Sequence, residues 1–322
     1  MITWLIALVC STAVGARIGR LTVRPPSLAR VSIAVAAISV TAAATIRTRT
    51  VTEVLDASGP GTAATGFEIC WIVFGAATAL IAAASVPRLS RGPQWPLPVA
   101  FAATAVAVIA NELRGPDHHR LTDVFLTVTA TFAVVAGLRY ARWNPLGRAI
   151  GLFCAGSLVV AGIGLHSLAV RPAEHAMPEG LWWAVAVIAI SAGCSSVMVE
   201  AWLRARVDLR RTRRLWTALT TAHPELLDTD YRSATATLTA SDRIAQILDG
   251  LYLHAGAGLF APEPTPPPAG LPEHAAAIAR WLHQGDAEPI DPAWLAAPDS
   301  VSDRRWIGAV CAAYNSPGQS GT

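Results

Sequence analysis

Seven uninterrupted apolar runs fill the first two thirds of this chain, and they limit its folding more than any other feature. Their approximate limits are Ile2–Ala16, Val31–Ile46, Phe67–Val86, Pro96–Ala110, Thr122–Leu138, Ala149–Val170 and Leu181–Leu203. A bilayer core about 30 Å thick needs ~20 residues of helix, with a working range of about 17–25. The third, sixth and seventh runs meet that length unaided. The first, second and fourth borrow flanking residues such as Arg17–Arg20, whose long stems reach back to the interface. None of the runs alternates polar with apolar residues, so a membrane β-barrel is excluded. With their flanks, seven helical spans are expected at about 2–19, 29–46, 67–86, 96–113, 122–138, 149–170 and 181–203.

Composition points the same way. Hydrophobic residues make up 53% of the chain and charged residues only 15%, against about 25% charged in ordinary soluble domains. Too little polar surface remains to cover a globule in water, so lipid is the expected solvent. All 25 basic residues are Arg, which removes a lysine Schiff base or a P-loop lysine from consideration. Cys10, Cys70, Cys154, Cys194 and Cys311 are widely separated and form no C-x-x-C. They read as packing residues.

Arginine placement gives the orientation. The segments after the first, third and fifth runs carry Arg17, Arg20, Arg24, Arg30, then Arg88 and Arg91, then Arg139, Arg142 and Arg148, with no acid among them. The alternate segments mix Arg47, Arg49, Arg114, Arg120 and Arg171 with Glu53, Asp56, Glu68, Glu112, Asp117, Asp123, Glu174 and Glu179. Short Arg-rich loops stay cytoplasmic, so the N-terminus is expected outside and the C-terminus in the cytoplasm of a bacterial plasma membrane. The first run lacks a basic residue ahead of it, which is the wrong polarity for a secretory signal. It is expected to be a retained span.

The span centres are nearly free of charge, with Glu68, Glu112, Asp123 and Glu200 expected at helix ends. That weakens the reading as an ion-coupled carrier. Hydroxyls such as Thr127, Thr129, Thr131, Ser157, Ser191, Ser195 and Ser196, and small-residue pairs such as Gly147–Gly151 and Gly75–Ala79, suit helix packing. The outer face offers His118, His119 and His175, with Asp117, Glu174 and His166, as candidate metal ligands or pH-sensitive groups. No spacing on one helix brings them together, and neither a metal nor a cofactor is expected.

The composition changes at Arg204. Residues 204–315 are expected to form a small cytosolic helical domain, with a Pro-rich linker at 262–272 and a disordered tail at 316–322. Its first helix is expected to continue the seventh span to about Ala222. A second, from Ala236 to His254, sets Ile244, Ile247, Leu248 and Leu251 on one face. A third begins near Pro272. A last one, opened by Ser300 and Asp303 as a capping box, aligns Ile307, Val310, Cys311 and Tyr314. The run RARVDLRRTRR contributes Arg204, Arg206, Arg210, Arg211, Arg213 and Arg214. Residues 215–322 hold five arginines against twelve acids, so positive charge stops where a nucleic-acid face would spread it. The run is therefore expected to anchor at the membrane edge, each arginine contributing about 1 kcal/mol beside anionic headgroups.

No catalytic signature is present: there is no Gly-rich phosphate loop, no G-x-S-x-G and no H-E-x-x-H. His223-Pro224-Glu225 reads as a helix stop, because Pro224 cannot continue a helix. The short spans, Arg213-Arg-Leu-Trp-Thr-Ala-Leu219 with His223-Pro224-Glu225, and Asp242-Arg243-Ile244 to Ile247-Leu248-Asp249-Gly250-Leu251 together resemble an actinobacterial family of seven-helix membrane proteins. Members are described as transporters and carry a C-terminal domain of unknown function. Ala245, Gln246 and Leu248 stand where that family more often has charged residues. The resemblance implies a plasma-membrane protein and transfers no catalytic residue.

The expected fold is thus all-α: a seven-helix transmembrane bundle followed by a small cytosolic helical domain. The expected function is sensory or regulatory, with a cytosolic protein partner for residues 204–322. A transporter or channel for a small solute is the alternative. The bilayer is the first partner, a homodimer is open to the domain, and neither nucleic acid nor enzyme activity is expected.

Overall fold

A computed structural model describes residues 2–21, 27–85, 96–114, 119–170, 181–227, 235–257, 266–284 and 290–316. Among these residues every regular element is helical and no strand occurs. The chain divides into two compact units, Met1–Val199 and Glu200–Thr322, and each is described by itself.

The first unit contains α1 (Ile2–Leu21), α2 (Leu28–Ile46), α3 (Arg49–Ser58), α4 (Thr62–Ser85), α5 (Pro96–Glu112), α6 (His119–Leu138), α7 (Pro145–Val170) and the start of α8 (Leu181–Arg211). Five segments are long and apolar enough to cross a membrane: Leu28–Ile46, Thr62–Ser85, Arg120–Leu138, Pro145–Val170 and Leu181–Arg211. Val99–Glu112, within α5, is apolar but shorter. At 1.5 Å per residue, α4 with its 24 residues is about 36 Å long, enough for a bilayer core.

These helices are apolar on both sides. Inside, Ala36, Val40, Ala43, Phe67, Phe74, Ala186, Val187 and Ile190 form one buried core. Its aromatic members interlock, with Trp71 edge-on to both Phe67 and Phe74. Outside, Leu8, Ile38, Val106, Val128, Val135, Leu158, Leu165 and Ile188 are exposed. Monomers in water rarely leave so continuous an apolar surface uncovered, because each Å² costs ~25 cal/mol. The apolar helices thus suggest a membrane location.

The short helix α3 lies where a plain loop was expected. None of its residues is buried, so packing does not explain it. Local polar bonds do. The Arg49 Nε donates to Glu53 Oε1 at 2.7 Å one turn on, and Thr52 Oγ1 donates to the Ile46 carbonyl at 2.7 Å. Asp56 then accepts from the Ala63 amide at 3.0 Å, satisfying an orphan donor at the start of α4.

At the other end of the bundle the α6–α7 connection is tied to the end of α4. Arg139 and Tyr140 both donate to the Ser85 carbonyl, at 2.5 and 2.7 Å. Asn144 caps α7 by accepting from the Gly147 amide at 2.6 Å, ahead of Pro145 in the first turn. The two small-residue pairs differ in use. Gly75 meets α6 closely, since a Cβ there would lie 2.8 Å from Thr129 Oγ1. Gly147 instead faces its own connection, with a Cβ position 2.2 Å from the Arg142 carbonyl oxygen, and Gly151 meets nothing within 4 Å. Of these two pairs only Gly75–Ala79 has its glycine set closely against a neighbouring helix.

The second unit comprises the end of α8 with α9 (Arg213–Ala222), α10 (Ala236–His254), α11 (Leu271–His283) and α12 (Asp303–Asn315), plus 3₁₀ turns at Pro224–Leu226 and Pro292–Trp294. Leu215, Leu219, Ile247, Leu251, Ile278, Trp306, Ile307, Val310 and Cys311 build its core. The expected faces of α10 and α12 are the buried ones, with Ile244, Leu248 and Tyr314 packed at their edges. The Trp306 indole donates to the Leu295 carbonyl at 3.0 Å, so its one polar atom is satisfied in a dry core.

Two local expectations differ from the structure. The helix from the seventh run does not continue unbroken to Ala222 but is interrupted at Thr212, whose hydroxyl donates to the Asp208 carbonyl at 2.8 Å; such back-bonding bends a helix. The last carbonyls of α8 find other donors, with Arg243 on Leu209 at 2.9 Å and Asn315 on Arg211 at 3.0 Å. The residue before α12 is Ser302 and not Ser300. Ser300 instead takes a positive φ of 69° in the turn that Val301 closes onto the Pro298 carbonyl. As expected, α9 stops at Ala222, directly before His223-Pro224. Residues 262–265 of the linker and 317–322 of the tail lie outside the described residues, and Leu271 and Pro272 at the linker's end already belong to α11.

Candidate functional site

Three carboxyl groups that lie far apart in sequence converge at one end of the first unit. Glu68 sits in the second turn of α4, Glu112 is the last residue of α5 and Asp123 lies in the second turn of α6. Because α5 runs opposite to α4 and α6, its C-terminus meets their N-termini. Thr122 donates its hydroxyl to Glu112 Oε2 at 2.8 Å, with both residues buried. Ser167, near the end of α7, donates to Asp123 Oδ2 at 2.6 Å. Glu68 is in hydrogen-bonding contact with Glu112 and close enough to Asp123 for their charges to interact. Like charges at such spacing repel, and a proton or a bound cation relieves the repulsion.

Beside these groups lies a cavity of about 90 Å³. Glu68, Asp123 and Thr122 form its polar side, and Phe67, Trp71 and Trp183 bring three aromatic rings to it. Gly164 forms part of the wall and must be glycine at this close approach. A Cβ there would lie 2.5 Å from Thr127 Oγ1 and 3.2 Å from the Asp123 carbonyl oxygen. Trp183 is 5% exposed, and its buried indole N–H has no partner. The Arg47 guanidinium, just after α2, lies over the Trp183 ring at 4.6 Å and the Phe67 ring at 5.9 Å. The cavity therefore has a polar side with two carboxyl groups and an opposing aromatic side.

His118 and His175 lie outside the described residues, and of His119 only its place as the first residue of α6 is described. His166 is exposed on α7. Among the described residues no three His, Cys, Asp or Glu side chains are placed so as to hold one metal ion. The hydroxyls are divided in use: Ser191 pairs with Cys10 at 3.0 Å, joining α8 to α1, while Thr129 and Ser195 bond their own helices. The Thr127 and Ser157 hydroxyls are buried without a partner.

All six arginines of the 204–214 run are exposed on α8 and α9. Arg204 pairs with Glu200 one turn earlier, and Arg206 lies over the Trp202 ring at 5.2 Å. Asp208, the one acid in the run, pairs with Arg304 of α12. Trp216 donates to Gln246 at 2.8 Å and carries the Arg243 guanidinium over its ring at 4.4 Å. Trp216 and Arg243 thus meet in one cluster, and Gln246 supplies the acceptor.

The fold and the cavity define a helical protein with several apolar, membrane-length helices and a buried carboxylate–aromatic site. Comparison with protein-family models, with curated proteins and with solved structures finds no match to this chain.

Proposed function

We propose that the chain is a multi-pass membrane protein of sensory or regulatory function, with seven spans, its N-terminus outside and residues 204–322 in the cytosol. A ligand in the outer-end cavity would bias the bundle, and the helical domain would pass that bias to a cytosolic protein partner. The observation that carries the reading is α8. Its first turn contributes Trp183 to the cavity wall, while its last turns are bonded into the second unit through Asp208, Leu209 and Arg211. One helix with both ends committed can transmit a small shift. The charge difference between the bundle ends supports the orientation, with Glu68, Glu112 and Asp123 at one end and exposed Arg139, Arg142 and Arg148 at the other. Exposed Trp143 and Trp182 suit the two interfacial belts.

Hydrogen exchange of the full chain in nanodiscs tests the coupling. Trp183→Ala is expected to change protection in 236–254 and 303–315 as well as around the cavity. Protection unchanged beyond residue 199 would count against it.

The carboxyl cluster favours one rival, because ionisable groups inside apolar helices mark solute paths. In that reading the chain is a transporter or channel for a small solute. Proteoliposomes containing the protein separate the two: solute-selective flux above empty vesicles would support the carrier, and binding without flux would support the sensor.

A further inference from the structure

We infer that α3 is an interfacial helix, lying along the surface of the bilayer that the bundle crosses. Val51, Val54 and Leu55 are set into the boundary between headgroups and acyl chains, so the partner of this surface is lipid. The inference rests on the membrane location of the bundle, and neither on its sensory role nor on its orientation.

The residues of α3 divide around its axis. With 3.6 residues per turn, Val51, Val54, Leu55 and Ser58 share one side at i, i+3, i+4 and i+7. Arg49, Thr52, Glu53 and Asp56 share the other. The polar side has its own partners. Thr52 donates to the Ile46 carbonyl, Asp56 accepts from the Ala63 amide, and Arg49 donates to Glu53. These bonds fix where the helix starts and stops, but they do not cover its apolar side. Val54 is 67% exposed, Val51 and Leu55 are half-exposed, and no residue of α3 is buried among the described residues. Ten residues, with Thr50, Val51, Thr52 and Val54 all β-branched, make a marginal helix in water. An uncovered apolar side there adds to the cost.

Depth decides what covers that side. The 19 residues of α2 make about 29 Å of helix, which matches a hydrocarbon core about 30 Å thick. Only Arg47 and Thr48 separate α2 from α3, and only Gly59, Pro60 and Gly61 separate α3 from α4. Both α2 and α4 are of membrane length. Two residues reach about 7 Å at most, so α3 is held at the edge of the core. Arg47 gives a second mark of depth. Its guanidinium lies over the Trp183 ring at 4.6 Å, which sets the α2–α3 junction level with the start of α8. Trp182 there is 68% exposed, and an exposed Trp on an apolar helix settles among the headgroups. An apolar helix side left open at that depth meets lipid. Charge does not seat it, since Arg49 stands against Glu53 and Asp56.

The test uses the full chain, its native cysteines replaced, in liposomes containing a lipid with a nitroxide near its headgroup. Single cysteines at Val54→Cys, Glu53→Cys and Val128→Cys carry an environment-sensitive fluorophore. Val128, exposed on α6, reports the membrane location independently of α3. The label at 54 should emit further to the blue and be quenched about threefold more strongly than the label at 53. Both effects should be equal in phosphatidylcholine and in its mixture with phosphatidylglycerol. Val54→Asp should speed amide exchange across 50–58 about tenfold, with exchange in α4 unchanged.

Equal, water-like emission at 53 and 54 with quenching at 128 would overturn the inference and leave the bundle in the membrane. Absence of quenching at all three would refute both. Quenching at 54 that required phosphatidylglycerol would replace apolar seating with headgroup charge, and exchange unaltered by Val54→Asp would equally contradict it. A second copy of the chain would also cover Val54. Disulfide-linked dimers of unlabelled Val54→Cys, with no quenching at 54, would assign the surface to that copy instead of lipid.

Discussion

Single side chains in the second unit have environments specific enough to give measurable consequences. Trp306 is fully buried among Leu215, Ile278 and Val310. Trp306→Ala removes its packing and leaves the Leu295 carbonyl without its donor, so a loss of ~3–5 kcal/mol is expected, read as a lower unfolding midpoint in denaturant. Cys311, equally buried, has its thiol pushed up to about 12 by burial, which makes it inert to alkylation until the unit opens. His254 lies edge-on to Trp281 at 5.1 Å and to His223 at 5.8 Å, with Glu225 3.3 Å from His223. Burial and then the neighbouring His223 lower its pKa. As pH falls below about 6.5, the ordinary histidine value, the unfolded chain takes up a proton that the folded one resists. Stability therefore falls in that window and is fully present above it. Melting of the second unit between pH 7.5 and 5.5 should show this decline, and His254→Gln should flatten it.

Among the elements, the long helices were legible in the sequence and their partnerships were not. An apolar run is a local property, so α2, α4, α6, α7 and α8 appear where the runs are. The amphipathic faces of α10 and α12 were also readable, because 3.6-residue periodicity marks them. By contrast α3 has no apolar run to announce it and stands on Arg49–Glu53, Thr52 and Asp56. The break at Thr212 was equally invisible, since it depends on Arg243 and Asn315 reaching the α8 carbonyls from distant segments. Arg243→Ala should cost about 1–2 kcal/mol, from one charge-assisted hydrogen bond and one cation–π contact. Loss of amide protection around Leu209 to Thr212 in hydrogen exchange is the check. If protection there is unchanged, the Arg243 contact does not hold the helix end. The candidate site was half legible. Glu68, Glu112 and Asp123 were read as helix-end residues, which they are by position. Their convergence needed the antiparallel packing of α4, α5 and α6, and Trp183 was indistinguishable in sequence from its exposed neighbour Trp182.

For the whole molecule, the physical argument is a contrast between two solvents. The first unit buries small residues and aromatics while exposing Val, Leu and Ile along its long helices. The second has a dry core of large side chains and few large apolar residues exposed, Leu227, Leu238 and Tyr252 among them. On the proposed topology the first unit lies in lipid and the second in the cytosol, with the carboxylate end of the bundle outside. Impermeant maleimide labelling of single-cysteine variants is the most direct test. The background chain has its five native cysteines, all free and four of them buried, replaced by Ala or Ser. Exposed Arg49, Arg142 and Thr221 supply the sites. In intact cells Arg49→Cys should label, whereas Arg142→Cys and Thr221→Cys should label only after permeabilisation. Labelling of Thr221→Cys from outside, or of Arg49→Cys only from inside, would contradict the account.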